Sequence, residues 1–232
     1  MSIYAIADLH LSFGTNKPMD IFGENWGRHW EKIREDWLQK VKEQDLVLLP
    51  GDFSWATYLK DTYDDFKYLS ELPGKKILLK GNHDYWWTTL KSMREYIKEN
   101  NFKDIDFLCN NSYLYEDYII AGTRGWQWND SEEDYKLLRR ELLRLEMSLK
   151  DGVEKFGTNK KIIVCTHYPP FNTTKNAELN YINLMKQYNV EKCLYGHLHS
   201  NAHKEAIQGI IDGIDFKLVS CDYTNFKLEK IY

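Results

Sequence analysis

The chain has no excess of basic charge: Lys and Arg total 31 against 35 Asp and Glu, for a net charge of −4 and a sequence pI near 6.0. That balance disfavours a nucleic-acid binder with a broad basic surface. It leaves anionic substrates open, because bound cations can carry the attraction. Cysteine is scarce as well. Cys109, Cys165, Cys193 and Cys221 stand singly, three of them within or at the end of apolar runs, and read as reduced, buried thiols of a cytoplasmic protein rather than as disulfides. No stretch approaches the roughly 20 apolar residues of a membrane span. The N-terminus enters a strand pattern directly, without the basic region of a secretory signal. There is no repeat, low-complexity tract or linker. With 232 residues, 43% hydrophobic and 28% charged, the chain fits one large α/β domain over 1–232.

What is present is an alternation of short apolar runs and helical patterns. Residues 3–7, 45–49, 76–80, 161–166 and 191–195 are short apolar runs that read as strands of sheets covered on both faces. Residues 118–121 form a sixth. Trp30, Ile33, Trp37 and Val41 repeat at helical spacing. The longest helix is predicted over about 131–149, striped by Tyr135, Leu138, Leu142, Leu145 and Leu149. Asp130 and Glu133 would form its capping box and Gly152 would lie just past its end. Residues 207–211, 214–220 and 226–231 suggest a strand meander with Asp212-Gly213 as a hairpin turn.

Five of the apolar runs end in residues that bind metals. Asp8 and His10 follow the first, Gly51-Asp52 the second, Gly81-Asn82-His83-Asp84 the third, His167 the fourth, and Gly196-His197 with His199 the fifth. In open α/β sheets, sites form beyond the carboxyl ends of strands, so these runs point to one shared edge. Asp8/His10 and His197/His199 are each spaced i, i+2, which on an extended backbone turns both side chains the same way. A carboxylate such as Asp52 can bridge two cations, and Asn82 offers an amide oxygen without added charge. Any one of these patterns alone reads as a polar loop cluster. Together they supply enough ligands for two metal ions, the machinery of phosphate-ester cleavage.

The ordered set resembles the calcineurin-like metallophosphoesterase superfamily over essentially the whole stretch from Asp8 to His199. The resemblance implies a four-layer αββα sandwich of two mixed β-sheets. It implies one metal on Asp8, His10, Asp52 and His199, and a second on Asp52, Asn82, His167 and His197, with Asp52 bridging. It also implies a non-ligand catalytic His83 oriented by Asp84. The ions would be divalent or of mixed valence, with manganese, iron and zinc all suited to such ligands. Two divalent ions, two aspartates and a bridging hydroxide would leave a charge of about +1 to draw in a small phosphorylated substrate. The implied reaction is in-line attack on phosphorus by that hydroxide, with His83 protonating the leaving oxygen or stabilising charge there.

The departures from the pattern are specific. The protein Ser/Thr phosphatases of the superfamily read G-D-x-x-D-R-G where this chain has Trp55 and Ala56 in place of the Asp and Arg. Arg124, in Gly122-Thr-Arg-Gly125, is either a substitute phosphate grip or an arginine in a surface turn. Trp55, Trp86, Trp87, Trp126 and Trp128 crowd the same loops, as an aromatic rim or, the preferred reading, as packing. The segment from Leu11 to His29 is either a cover for the pocket or a packed connection. His29 reads as a helix start, and His203 as solvent-exposed or touching substrate. The favoured function is hydrolysis of a small phosphomonoester or phosphodiester. A nuclease of the same superfamily and a non-catalytic metal-binding scaffold for protein partners are the alternatives.

Overall fold

The computed structural model describes residues 1–127, 131–171 and 180–232. The apolar runs become two mixed sheets. In the first, β1 (Ile3–Ala5), β2 (Leu46–Pro50), β3 (Lys75–Leu79) and β4 (Ile105–Leu108) run parallel. In the second, β5 (Tyr113–Tyr115) and β6 (Tyr118–Thr123) form a hairpin. Beyond it, β7 (Lys161–Thr166), β8 (Val190–Tyr195) and β10 (Ile214–Leu218) lie parallel to β6, and β9 (Gly209–Ile211) closes the far edge.

Alternation along the strands builds three cores. Ile3, Ala5, Leu46, Leu48, Ile77 and Leu79 of the first sheet meet Ile120, Ile163, Cys165 and Leu194 of the second, so the sheets pack face to face. Tyr4, Val47, Leu49 and Leu78 turn the other way. They meet the apolar stripes of α1 (His29–Lys40), α2 (Tyr63–Ser70) and α3 (Leu90–Glu99). On the outer face of the second sheet, Ile119, Ala121, Ile162 and Val164 receive α4 (Glu132–Phe156) and α5 (Tyr181–Gln187). The result is the αββα sandwich that the family resemblance implied.

Three expectations are corrected. The 207–231 region is not one meander. β9 and β10 do form a hairpin around Asp212 and Gly213, both at positive φ (52° and 84°). The last segment instead becomes β11 (Glu229–Lys230), antiparallel to β1 in the other sheet. There Leu228 and Ile231 are buried on opposite faces of that sheet, which no edge beyond β9 offers. Helix α4 is longer at its C-terminal end than its apolar stripe suggests. Ser131 caps it, its side chain accepting from the Asp134 N–H at 3.0 Å, while Asp130 lies outside the described residues. Gly152 lies within the helix, where a Cβ would collide with Ile119; the glycine lets α4 press onto β6. The helix closes at Gly157. Finally, Asp8, His10 and His197 are not extended, with φ of 60°, 45° and 74°.

Candidate metal centre

The carboxyl ends of β1, β2, β3, β7 and β8 face one another where the two sheets meet. Two links join the loops there: Ala7 bridges Ser220 across the sheets, and Leu11 bridges Ser54. Asp8, His10, Asp52 and His197 all adopt the left-handed backbone. Each such kink costs a non-glycine residue about 1 kcal/mol or more, and here four of them aim side chains at one place. Hydrogen bonds hold the kinks: the Asp8 N–H donates to the Gly51 carbonyl at 2.9 Å and the His10 N–H to that of Asp52 at 3.0 Å. Gly51 itself, at φ 97°, passes so close to His167 that a Cβ would run into the ring.

All seven expected ligands converge. Ligand atoms of Asp8, His10 and His199 lie within 4.8 Å of one another, as do those of Asp8, Asp52 and His167. His10 Nε2 is 3.4 Å from His199 Nε2 and 3.7 Å from Asp52 Oδ2. His167 Nε2 is 3.5 Å from Asp52 Oδ2 and 2.6 Å from Asn82 Oδ1, and His197 Nδ1 is 2.9 Å from the same Asn82 oxygen. Asp52 Oδ2 thus faces His10 on one side and His167 on the other, while Asp8 belongs to both groups.

The donor chemistry fits cations. His167 Nδ1 lies 3.1 Å from the Pro50 carbonyl, which can only accept. The ring proton therefore belongs on Nδ1, and Nε2 presents a lone pair to two acceptor oxygens. Three acceptors facing one another repel unless a cation lies among them. Likewise His199 Nδ1 is 2.8 Å from Asp222 Oδ1, leaving Nε2 toward Asp8 Oδ1 at 3.5 Å.

The electrostatics agree. Burial, reinforced by the Asp8 charge, pushes Asp52 up to about 8. Burial would also raise Asp8, but His199, His167 and His10 outweigh it and hold that carboxyl well below its usual value. Burial pushes His10 and His167 down, and His197 to about 3, so these rings keep free lone pairs. Burial opposes charge on His199 too, yet Asp8 and Asp222 raise it to about 10. A proton on its Nε2 does there what a metal ion would do: it neutralises buried carboxylates.

The remaining site expectations divide. His83 is half-buried beside the ligands, its ring 4.5 Å from Trp55 and 5.7 Å from His10. Among the described residues, no hydrogen bond joins the Asp84 carboxylate to the His83 ring. The buried Asp84 carboxylate accepts instead from the backbone N–H groups of Asp52, Phe53, Ser54 and Gly81, and from the Trp86 indole, at 2.7 to 3.2 Å. It pins the loop that carries Asp52 to the loop that carries Asn82, because five N–H donors outbid one imidazole. Arg124 lies next to the cluster rather than in it, with its guanidinium 3.9 Å from Glu141 and 5.1 Å above the Trp126 ring.

The 11–29 segment packs onto the site through Leu11, Met19, Trp26 and His29, while Phe13, Ile21 and Phe22 stay exposed. Buried Trp26 sets its edge against His10 and His199, and the Trp55 indole reaches Met19. Trp55 stacks on His10 at 4.8 Å, and Trp86 is buried in the outer core. Trp128 lies outside the described residues. His29 starts α1 and is buried between the Leu9 and Trp26 carbonyls. His203 rests 3.3 Å from Asp222. The sequence reading missed Asp222, although it follows the apolar run 214–220 just as the other ligand types follow theirs.

The calcineurin-like phosphoesterase family matches residues 1–201. The chain belongs to that family. Solved structures with the same fold include a protein of unknown function, AQ665, from Aquifex aeolicus (19% identity, TM-score 0.51, covering 99% of this chain and 95% of that one). Phosphopantetheinyl hydrolase from Mycobacterium tuberculosis is another (13%, 0.58, 99% and 95%), as is TT1561 of Thermus thermophilus (14%, 0.61, 98% and 96%). No curated protein matches. The calcineurin-like fold, its family and its cluster of candidate ligands make the chain a metal-dependent phosphoesterase by class. Among the described residues, no helix of this phosphoesterase is long and apolar enough to cross a membrane.

Proposed function

We propose that residues 1–232 act as one metallophosphoesterase domain that hydrolyses a small phosphomonoester or phosphodiester, with a dinuclear centre of manganese, iron or zinc. One observation carries this reading: Asp52 Oδ2 lies 3.7 Å from His10 Nε2 on one side and 3.5 Å from His167 Nε2 on the other, where two overlapping groups of ligand atoms, Asp8/His10/His199 and Asp8/Asp52/His167, each close to within 4.8 Å. Asp8, His10, Asp52 and His199 would hold one ion, and Asp52, Asn82, His167 and His197 the other. When bound, the ions supply an activated water and neutralise charge on the phosphoryl oxygens.

The chain's own residues do the rest. Pro50 and Asp222 hold Nδ1 of His167 and His199, so both rings turn Nε2 to the centre; His167 Nε2 offers a lone pair, and His199 Nε2 would offer one once a cation took the place of its proton. Asp84 holds the Asp52 and Asn82 loops in register. Burial and the neighbouring His167 push His83 below its usual value, so it is neutral at pH 7. A neutral imidazole keeps one N–H donor, which serves to bind the leaving oxygen as negative charge develops there. The four cysteines are all free, which suits a reducing cytoplasmic setting.

The test is metal analysis of the purified protein together with turnover of p-nitrophenyl phosphate and bis-p-nitrophenyl phosphate in added manganese. Hydrolysis of one and not the other assigns monoesterase or diesterase. Two bound ions with neither substrate cleaved would contradict the proposal.

A further inference from the structure

A second, strongly basic cleft of about 390 Å³ opens beside the metal centre, between the carboxyl ends of β3 and β6 and the flank of α4. That volume is within the range of small-molecule sites. Its charged lining is Lys80, Arg124, Arg140 and Arg144 with the single carboxylate of Glu141. Formal charge there is therefore +3, in a chain whose total is −4.

The arginines are organised rather than scattered. Glu141 is fully buried, and one of its oxygens lies 2.6 Å from Arg144, 3.5 Å from Arg140 and 3.9 Å from Arg124. Its other oxygen accepts the Thr123 hydroxyl at 2.7 Å. One buried acid thus gathers three guanidiniums from two elements. Each guanidinium has five N–H donors, far more than two carboxylate oxygens can accept. Arg124 Nε is buried with no partner. Arg140 and Arg144 are like charges at i, i+4 on one helix, a placement that costs stability unless an anion offsets it.

The cleft abuts the ligand cluster from two sides. The Arg124 carbonyl accepts the N–H groups of His167 and Tyr168, both at 3.0 Å, and Lys80 immediately precedes Gly81-Asn82. We propose that this cleft binds a second, non-scissile phosphoryl group of the substrate, so that the substrate class is a small organic bisphosphate cleaved at one of its two esters. The guanidinium forks match phosphate oxygens bidentately. The inference rests on the metal centre being the site of phosphoester cleavage, and it predicts selectivity that the metal ligands alone do not supply.

Two measurements test it on the full chain. The first is calorimetric titration of inorganic pyrophosphate into metal-stripped protein, where the metal centre contributes no cation. Wild type should bind at least tenfold more tightly than Arg140→Gln/Arg144→Gln. Should loss of Glu141's partners unfold the double variant, Arg140→Gln alone and Lys80→Gln replace it, each expected to weaken binding at least threefold. The second compares kcat/KM for alkanediol bisphosphates of two, four and six carbons with the matching alkyl monophosphates, in manganese. At least one bisphosphate should exceed its monophosphate partner tenfold, and the advantage should shrink toward one in the arginine variants. Equal pyrophosphate binding in wild type and variants, or no bisphosphate advantage at any length, overturns the subsite. A manganese-loaded wild type that binds pyrophosphate in the cleft yet cleaves no phosphoester overturns the reaction and the bisphosphate substrate class built on it.

Discussion

Asp84→Asn separates two accounts of a residue that sits next to His83, the proposed catalytic histidine, in sequence. Asp84 Oδ2 accepts from Asp52 N at 2.9 Å and Gly81 N at 2.7 Å, and Oδ1 from Phe53 N, Ser54 N and Trp86 Nε1. An asparagine can keep three of these bonds through its carbonyl oxygen. Its NH₂ group then faces two backbone N–H donors in a buried site. Hydrogen bonds to a charged acceptor contribute roughly 1.5–3 kcal/mol each, so losing two of them costs about 3–6 kcal/mol. Against a typical stability of roughly 5–15 kcal/mol, that is a large fraction. Burial pushes Asp84 up to about 7, so the comparison belongs at pH 8, where wild type is ionised, and the burial cost that the neutral asparagine escapes offsets part of this loss. Urea unfolding of metal-stripped protein gives the number without a contribution from metal binding. Metal affinity should fall as well, because the Asp52 loop loses its anchor. If Asp84 worked through His83 instead, the asparagine variant would unfold within about 1 kcal/mol of wild type. Its turnover would match that of His83→Ala, and combining the two changes would cost nothing more. That result would refute the anchoring role.

Other outcomes follow from the same contacts. His83→Ala should retain two metals per chain and lose turnover of p-nitrophenyl phosphate by about 10²–10⁴, with metal analysis and kinetics run on one preparation; wild-type turnover would remove its role. Asp222→Asn, which loses the carboxylate behind His199, should weaken metal binding about 10–100-fold, read by titration with a chelating competitor. Burial pushes the Lys76 ammonium from 10.5 down to about 8. Between those pH values the unfolded chain binds the extra proton, so wild-type stability rises with pH there by up to about 3 kcal/mol. Lys76→Met lacks that rise, so its stability advantage over wild type should shrink by about as much between pH 7 and pH 10.5 in urea unfolding; an unchanged difference would contradict the burial cost.

The sequence carried the sandwich and the ligand set further than it carried local geometry. Runs such as 45–49 and 161–166 are apolar on both faces, so their burial on both sides is readable from composition, while the second sheet on one of those sides was implied by the family resemblance. The ligands follow those runs, so their meeting at one edge is readable too. The backbone that brings them together is not. Asp8, His10 and His197 reach the centre through left-handed kinks, and i, i+2 spacing suggests an extended chain only when neighbouring residues stay extended. The contacts of Asp84 were not legible because adjacency in sequence says nothing about direction; its carboxylate accepts from the Asp52 loop 30 to 32 positions away. Asp222 and β11 were hidden for a related reason. Both depend on the chain crossing from β10 back to β1, a long-range pairing that no local period encodes. Gly152 looked like a stop, yet the close approach of α4 to Ile119 explains it better.

The central claim is that Asp52 stands between two cations. The direct test is a crystal of the protein grown with manganese and measured at the manganese absorption edge. Two anomalous peaks per chain, about 3.5–4 Å apart, on either side of the Asp52 carboxylate are expected. A single peak, or two peaks of which only one is within coordination distance of Asp52, would contradict the account.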